Sequence, residues 1–77
     1  MKDIKATIAS AILAALSHDE AEDGLYFSNL FHLHEEDERD AVPGTPDEIA
    51  IVLDDLIKRG QVVSEGEGDQ AVYRLAV

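Results

Sequence analysis

The sequence predicts an α+β fold, built as a single domain over residues 1–77. Three observations carry that prediction. Ile4, Ile8, Ile12 and Leu16 recur every four residues, which is one apolar stripe at helical period. Residues 45–60 read as a second strongly marked helix with start and stop signals at its two ends. Residues 61–65 and 70–76 are strand-like and flank a turn containing Gly66 and Gly68.

The first helix is predicted over residues 4–17. Ala11 and Ala15 flank the isoleucine stripe, favouring helix and permitting close approach of a neighbour. A polar connector carrying Asp19, Glu20, Glu22 and Asp23 leads to Gly24. Leu25-Tyr26-Phe27 is a short β-prone run, and Ser28 supplies a capping hydroxyl for a short helix over residues 29–34. Leu30, Phe31 and Leu33 are its core candidates. Residues 35–44 hold five carboxylates and end in Pro43-Gly44, the composition of an exposed loop.

The third helix has the clearest boundaries. Thr45 offers a capping hydroxyl, Pro46 occupies the first helical position and Glu48 the third. Ile49, Val52, Leu53, Leu56 and Ile57 form the predicted buried stripe. Lys58 and Arg59 fill the last turn, and Gly60 is the left-handed stop. Tyr73 and Leu75 are expected to face the core with Val62.

Charge bounds the function. Seventeen acidic residues against six basic ones give a formal net charge of −11. That charge opposes binding to phosphate backbones and anionic lipid, which require Lys and Arg. It favours a protein partner with a basic surface. The other reading of the same acidity is a proteome adapted to high salt. The chain has no cysteine, which excludes disulfides and thiolate chemistry and suits a cytoplasmic location. The start resembles a weak signal peptide, but Asp3 interrupts its basic region and no Ala-x-Ala site follows the apolar run at Leu16. No apolar run approaches the ~20 residues of a membrane span.

Helix, short strand, helix, helix, strand, strand is the winged-helix order. The spacing Ile49-x3-Leu53-x2-Leu56-x3-Gly60-x-Val62, with a hairpin ending Tyr73-Arg74-Leu75, resembles the winged helix-turn-helix superfamily over nearly the whole chain. The resemblance implies three helices, a short strand and a C-terminal β-hairpin wing. Among small stand-alone members, the chain resembles the D protein of dissimilatory sulfite reductase. It shares the length, a Tyr-Phe before a polar pair at Tyr26-Phe27-Ser28-Asn29 and a tyrosine-bearing wing. That likeness implies a protein-binding, non-catalytic use of the fold. The acidic insert from Glu35 to Asp40 and the high negative charge depart from it.

Reading DNA in the major groove requires hydrogen-bond donors on the exposed face of the third helix. This helix offers Asp47, Ala50, Ile51, Asp54 and Asp55 instead, and the turn beyond it offers Glu65, Glu67 and Asp69. These eight residues are the candidate partner-binding surface. The carboxylates would steer a basic partner, and Ile51, with Ala50, would anchor it. Carboxylates spaced along a helix and a wing could also imitate a phosphate track. The alternative function is a DNA-binding transcriptional regulator. Such a regulator is expected to be dimeric, since one small domain recognises few base pairs, whereas the protein-binding reading allows a monomer or a homodimer.

His32-Leu33-His34-Glu35-Glu36 suggests a metal, but residues two apart on a helix do not share a face and no His-Glu-x-x-His spacing is present. No metal or other cofactor is therefore expected. No phosphate loop, dinucleotide fingerprint or catalytic triad spacing appears, and so small a domain has little room for a pocket of about 300 Å³. The chain is read as non-enzymatic.

Overall fold

The computed structural model describes residues 4–33 and 41–76, apart from the side chains of Glu20 and Asp69. The described residues form an α+β domain with two α-helices and a three-stranded antiparallel sheet. Helix α1 spans Ile4–Ser17 and α2 spans Pro46–Lys58. Strands β1, β2 and β3 are Leu25–Tyr26, Val62–Glu65 and Val72–Leu75, in the spatial order β1-β3-β2.

The two helices meet over a core to which α1, α2, β1 and β2 contribute buried residues, with β3 packed against it. Ile8, Ile12, Ala15 and Leu16 of α1 face Ile49, Val52, Leu53 and Leu56 of α2 within one buried cluster. Leu25, Leu30 and Val62 complete it from the sheet side. Ile4 is the exception to the predicted stripe. It is 58% exposed, because it lies in the first turn of α1, beyond the end of the core. Val42 adds a core residue the helical periodicities do not reveal, at 3% exposure.

The ends of α2 follow directly from its sequence. The Thr45 hydroxyl accepts from the Glu48 amide at 3.2 Å, and the Glu48 carboxylate accepts from the Thr45 amide at 3.0 Å. This reciprocal cap satisfies two amides that have no partner inside the helix. At the other end Gly60 has φ +78°. Its amide donates to the Ile57 carbonyl, and the Gln61 amide donates to the Leu56 carbonyl, each at 3.0 Å. The pair of bonds is a Schellman stop, which requires the left-handed conformation that glycine adopts without a Cβ penalty.

The segment predicted as a helix over residues 29–34 is instead a 3-10 turn at Phe27–Leu30. Its start comes two residues earlier, so Phe27 leaves the strand and β1 keeps only two residues. Asn29, rather than Ser28, makes the bond at its start: its side-chain oxygen accepts from the Tyr26 amide at 3.0 Å. The run is too short, and too rich in aromatic and capping residues, to propagate an α-helix. Leu30 is buried and Phe31 packs against the core, while Leu33 is half-buried. His34 and the acidic insert from Glu35 to Asp40 lie outside the described residues.

In the sheet Leu25 pairs with Tyr73, and Tyr73 pairs with Ser64 on its other side. Val62 opposes Leu75. Alternation then puts Tyr73, Leu75 and Val62 on one face, and Tyr73 and Leu75 pack against the core. Gly24 lets the chain enter β1 close to β3. A Cβ added there would overlap the Val72 side chain, and its φ is +92°.

Candidate functional site

All five candidates on α2 are exposed. They occupy the face opposite Ile49, Val52, Leu53 and Leu56, as a 3.6-residue turn requires. Within that face the structure separates two groups. Ala50 and Asp54 border the side of α2 next to the sheet, where they share a recess of about 110 Å³ with Phe27, Leu53, Ile57 and Tyr73. Ile51 and Asp55 border the side next to α1, where a hollow of about 480 Å³ also carries Ala9, Arg59 and Lys5. Ala50 and Ile51 therefore border different hollows, although they are adjacent in sequence. Asp47 lies exposed in the first turn between the two groups.

Three carboxylates of this surface are paired with cations. Asp54 lies 3.0 Å from the Lys58 ammonium and Asp55 lies 2.9 Å from the Arg59 guanidinium, both at i,i+4 spacing. The acid precedes the base in each, which is the better orientation on a helix. Glu65 pairs with Arg74 across β2 and β3. Its strand partner is Val72, so Arg74 is its diagonal neighbour on the outer face of the sheet. The hydrogen bond and charge of Asp54 raise the pKa of Lys58 above the ordinary lysine value. All three pairs are exposed and screened by solvent, so an incoming group can replace them at small cost. Glu67 is exposed at the tip between β2 and β3. The side chain of Asp69 lies outside the described residues.

Beside the sheet-side recess lies a second hollow of about 420 Å³, so the surface does hold hollows of the size that the short chain length argued against. Phe27, Ala50 and Tyr73 wall both, and Tyr26, Ser28 and Ala71 line the larger one. The chain has two tyrosines and two phenylalanines, and three of those four rings' residues are gathered here. The fourth, Phe31, meets Phe27 edge-on with centroids 5.2 Å apart. Tyr26 lies in a strand and Tyr73 against the core, as the sequence predicts, while Phe27 lies in the 3-10 turn. Composition is the only sequence signal for this cluster, because aromatic residues are scarce in this chain; the 49% exposure of Tyr26 is set by the fold.

His32 is exposed, with its ring 5.1 Å from that of Phe31. Its proposed co-ligands His34, Glu35 and Glu36 lie outside the described residues. Among the described residues, no group of three or more His, Cys, Asp or Glu side chains is placed to hold a metal ion. Among them, too, no helix is long and apolar enough to cross a membrane. Comparison with protein-family models, curated proteins and solved structures finds no match.

Proposed function

We propose that the chain is a small non-catalytic winged-helix protein that binds a protein partner with a basic surface. The order α1, β1, 3-10 turn, α2, β2, β3 supports this reading, with the second helix reduced to a turn and the β2–β3 hairpin as the wing. The contact surface is the outward face of α2 with the hairpin, and the role is that of an adaptor, modulator or inhibitor. The cysteine-free composition favours the cytoplasm.

The observation that carries the reading is the make-up of that face. Where a DNA-reading helix presents donors, α2 presents Asp47, Ala50, Ile51, Asp54 and Asp55, and its two terminal cations each already sit on an aspartate. Ile51 is 60% exposed among them, an apolar point within a charged rim. Carboxylates on the same face also suit the imitation of a phosphate track by an inhibitor of a nucleic-acid-binding protein.

Two measurements test this. Affinity capture from native lysate compares wild type with Asp54→Lys/Asp55→Lys. The double variant is expected to lose the specific partner, and retrieval of the same proteins by both removes this surface from consideration. Fluorescence anisotropy with random duplex DNA at low salt is expected to show no binding at micromolar protein. Clear binding there favours the alternative, a DNA-binding regulator.

A further inference from the structure

The groove between α2 and the sheet has a chemistry of its own. Phe27 and Tyr73 wall both of its compartments, and Tyr26 lines the larger one. Asp54 lines the smaller compartment beside Phe27 and Tyr73. Aromatic faces attract cations, and a guanidinium does so while still offering a planar fork of donors to a carboxylate. We propose that this groove receives an arginine side chain from an extended basic segment of the partner protein. Its stem packs on Phe27, Ala50 and Tyr73, and its guanidinium reaches Asp54. This rests on the protein-binding reading above and names the chemistry of its contact.

Four further observations select this occupant. The net charge of −11 attracts cationic segments and repels acidic ones. Among the described residues Asp54 pairs with Lys58, and the two side chains are 62% and 74% exposed, so an arriving guanidinium displaces an ammonium that water readily solvates. The hollow on the other side of α2 is different: Lys5, Asp55 and Arg59 line it, and no aromatic ring among the described residues does. The small recess, about 110 Å³, matches one side chain, while the adjoining 420 Å³ hollow gives room for the flanking residues of the segment.

The test titrates the 15N-labelled protein with a short acetylated peptide, Ala-Ala-Arg-Ala-Ala amide, at millimolar concentration. Versions with lysine and with citrulline in place of arginine serve as comparisons. Amide shifts are expected at Phe27, Ala50 and Tyr73, with lysine binding about threefold weaker and the uncharged citrulline peptide losing binding about tenfold. Ala50→Arg places a bulky cation at an exposed helical position and is expected to weaken binding about tenfold without unfolding the protein. Asp54→Asn is expected to weaken it about threefold. Shifts spread evenly over the acidic surface, equal binding of citrulline, unchanged binding by a folded Ala50→Arg, or no groove shifts at all each overturn the proposal. The two readings fail separately. A partner captured by wild type and by Ala50→Arg, but lost by Asp54→Lys/Asp55→Lys, removes the groove and leaves the protein-binding surface.

Discussion

The backbone amide of Val42 donates to the carbonyl of Leu30 at 2.8 Å, and both side chains are buried. The bond ties the end of the 3-10 turn to the approach to α2. Val42→Ala removes two methyl groups at about 0.8 kcal/mol each and leaves a cavity, so a loss of about 1.5–3 kcal/mol is expected. Val42→Pro deletes the donor and strands a buried carbonyl, at a cost of about 1–3 kcal/mol. Urea denaturation of both variants measures these losses. Stabilities within 0.5 kcal/mol of wild type, an order-of-magnitude margin of roughly a surface substitution, would remove the bond from the core.

The two ends of α2 should fail in different ways. Thr45→Ala removes one half of the reciprocal cap and is expected to cost about 1 kcal/mol. Gly60→Ala meets no atom within 4 Å, so its cost is conformational alone, about 1–2 kcal/mol from the left-handed backbone. Gly60→Asn, which tolerates that conformation better, should recover part of the loss. Thermal melts of the three proteins discriminate them.

Gly24 presents the opposite case, in which space rather than φ alone decides. Gly24→Ala drives a methyl group into the side chain of Val72 and holds a strained φ as well. A loss of more than about 2 kcal/mol is expected, larger than at Gly60. Gly24→Ala with Val72→Ala relieves the overlap but not the strain, so the double variant should be less destabilised than the two changes summed.

Lys58 gives the pH dependence of the α2 surface. Its pKa is raised above the ordinary lysine value by Asp54, so the folded state holds the proton more tightly than the unfolded one. The stabilisation is fully present below the unfolded lysine pKa and is lost as pH rises through the folded value. Direct 15N detection of the Lys58 ammonium should show its pKa fall toward the ordinary value in Asp54→Asn. An unchanged titration would mean that the pair seen at 3.0 Å has no influence in solution.

Self-repulsion of a chain at −11 should make stability depend on salt. Raising potassium chloride from 10 mM to 150 mM shortens the screening length from about 30 Å to about 8 Å, which is less than the molecule's smallest dimension of 23 Å. The melting temperature is therefore expected to rise over that interval. A melting temperature that falls would mean that attraction within pairs such as Asp54–Lys58 outweighs the general repulsion.

What could be read beforehand follows the range of the interactions concerned. The bounds of α1 and α2 are local: a four-residue stripe in one, and Thr45, Pro46 and Gly60 in the other. The helix expected after Ser28 was misplaced because its competing signals, Phe27 and Asn29, are also local but nearly balanced. Val42 was not legible as core, because its burial depends on a bond to Leu30 twelve positions away. The candidate surface was legible as an exposed face of α2. Its division into an Ala50 side and an Ile51 side was not, since that depends on which element packs beside each.

The central position of β3 makes the order of synthesis differ from the order of assembly. β1 emerges early and β2 later, yet each forms its sheet hydrogen bonds to Val72–Leu75. A ribosome must therefore release residue 75 clear of its exit tunnel before either strand finds a partner. Until then the helices can begin to associate, but Leu25 and Val62 remain on unpaired backbone. The sheet is completed in one late step, so chains halted before β3 should be handled by the cell as unfinished protein.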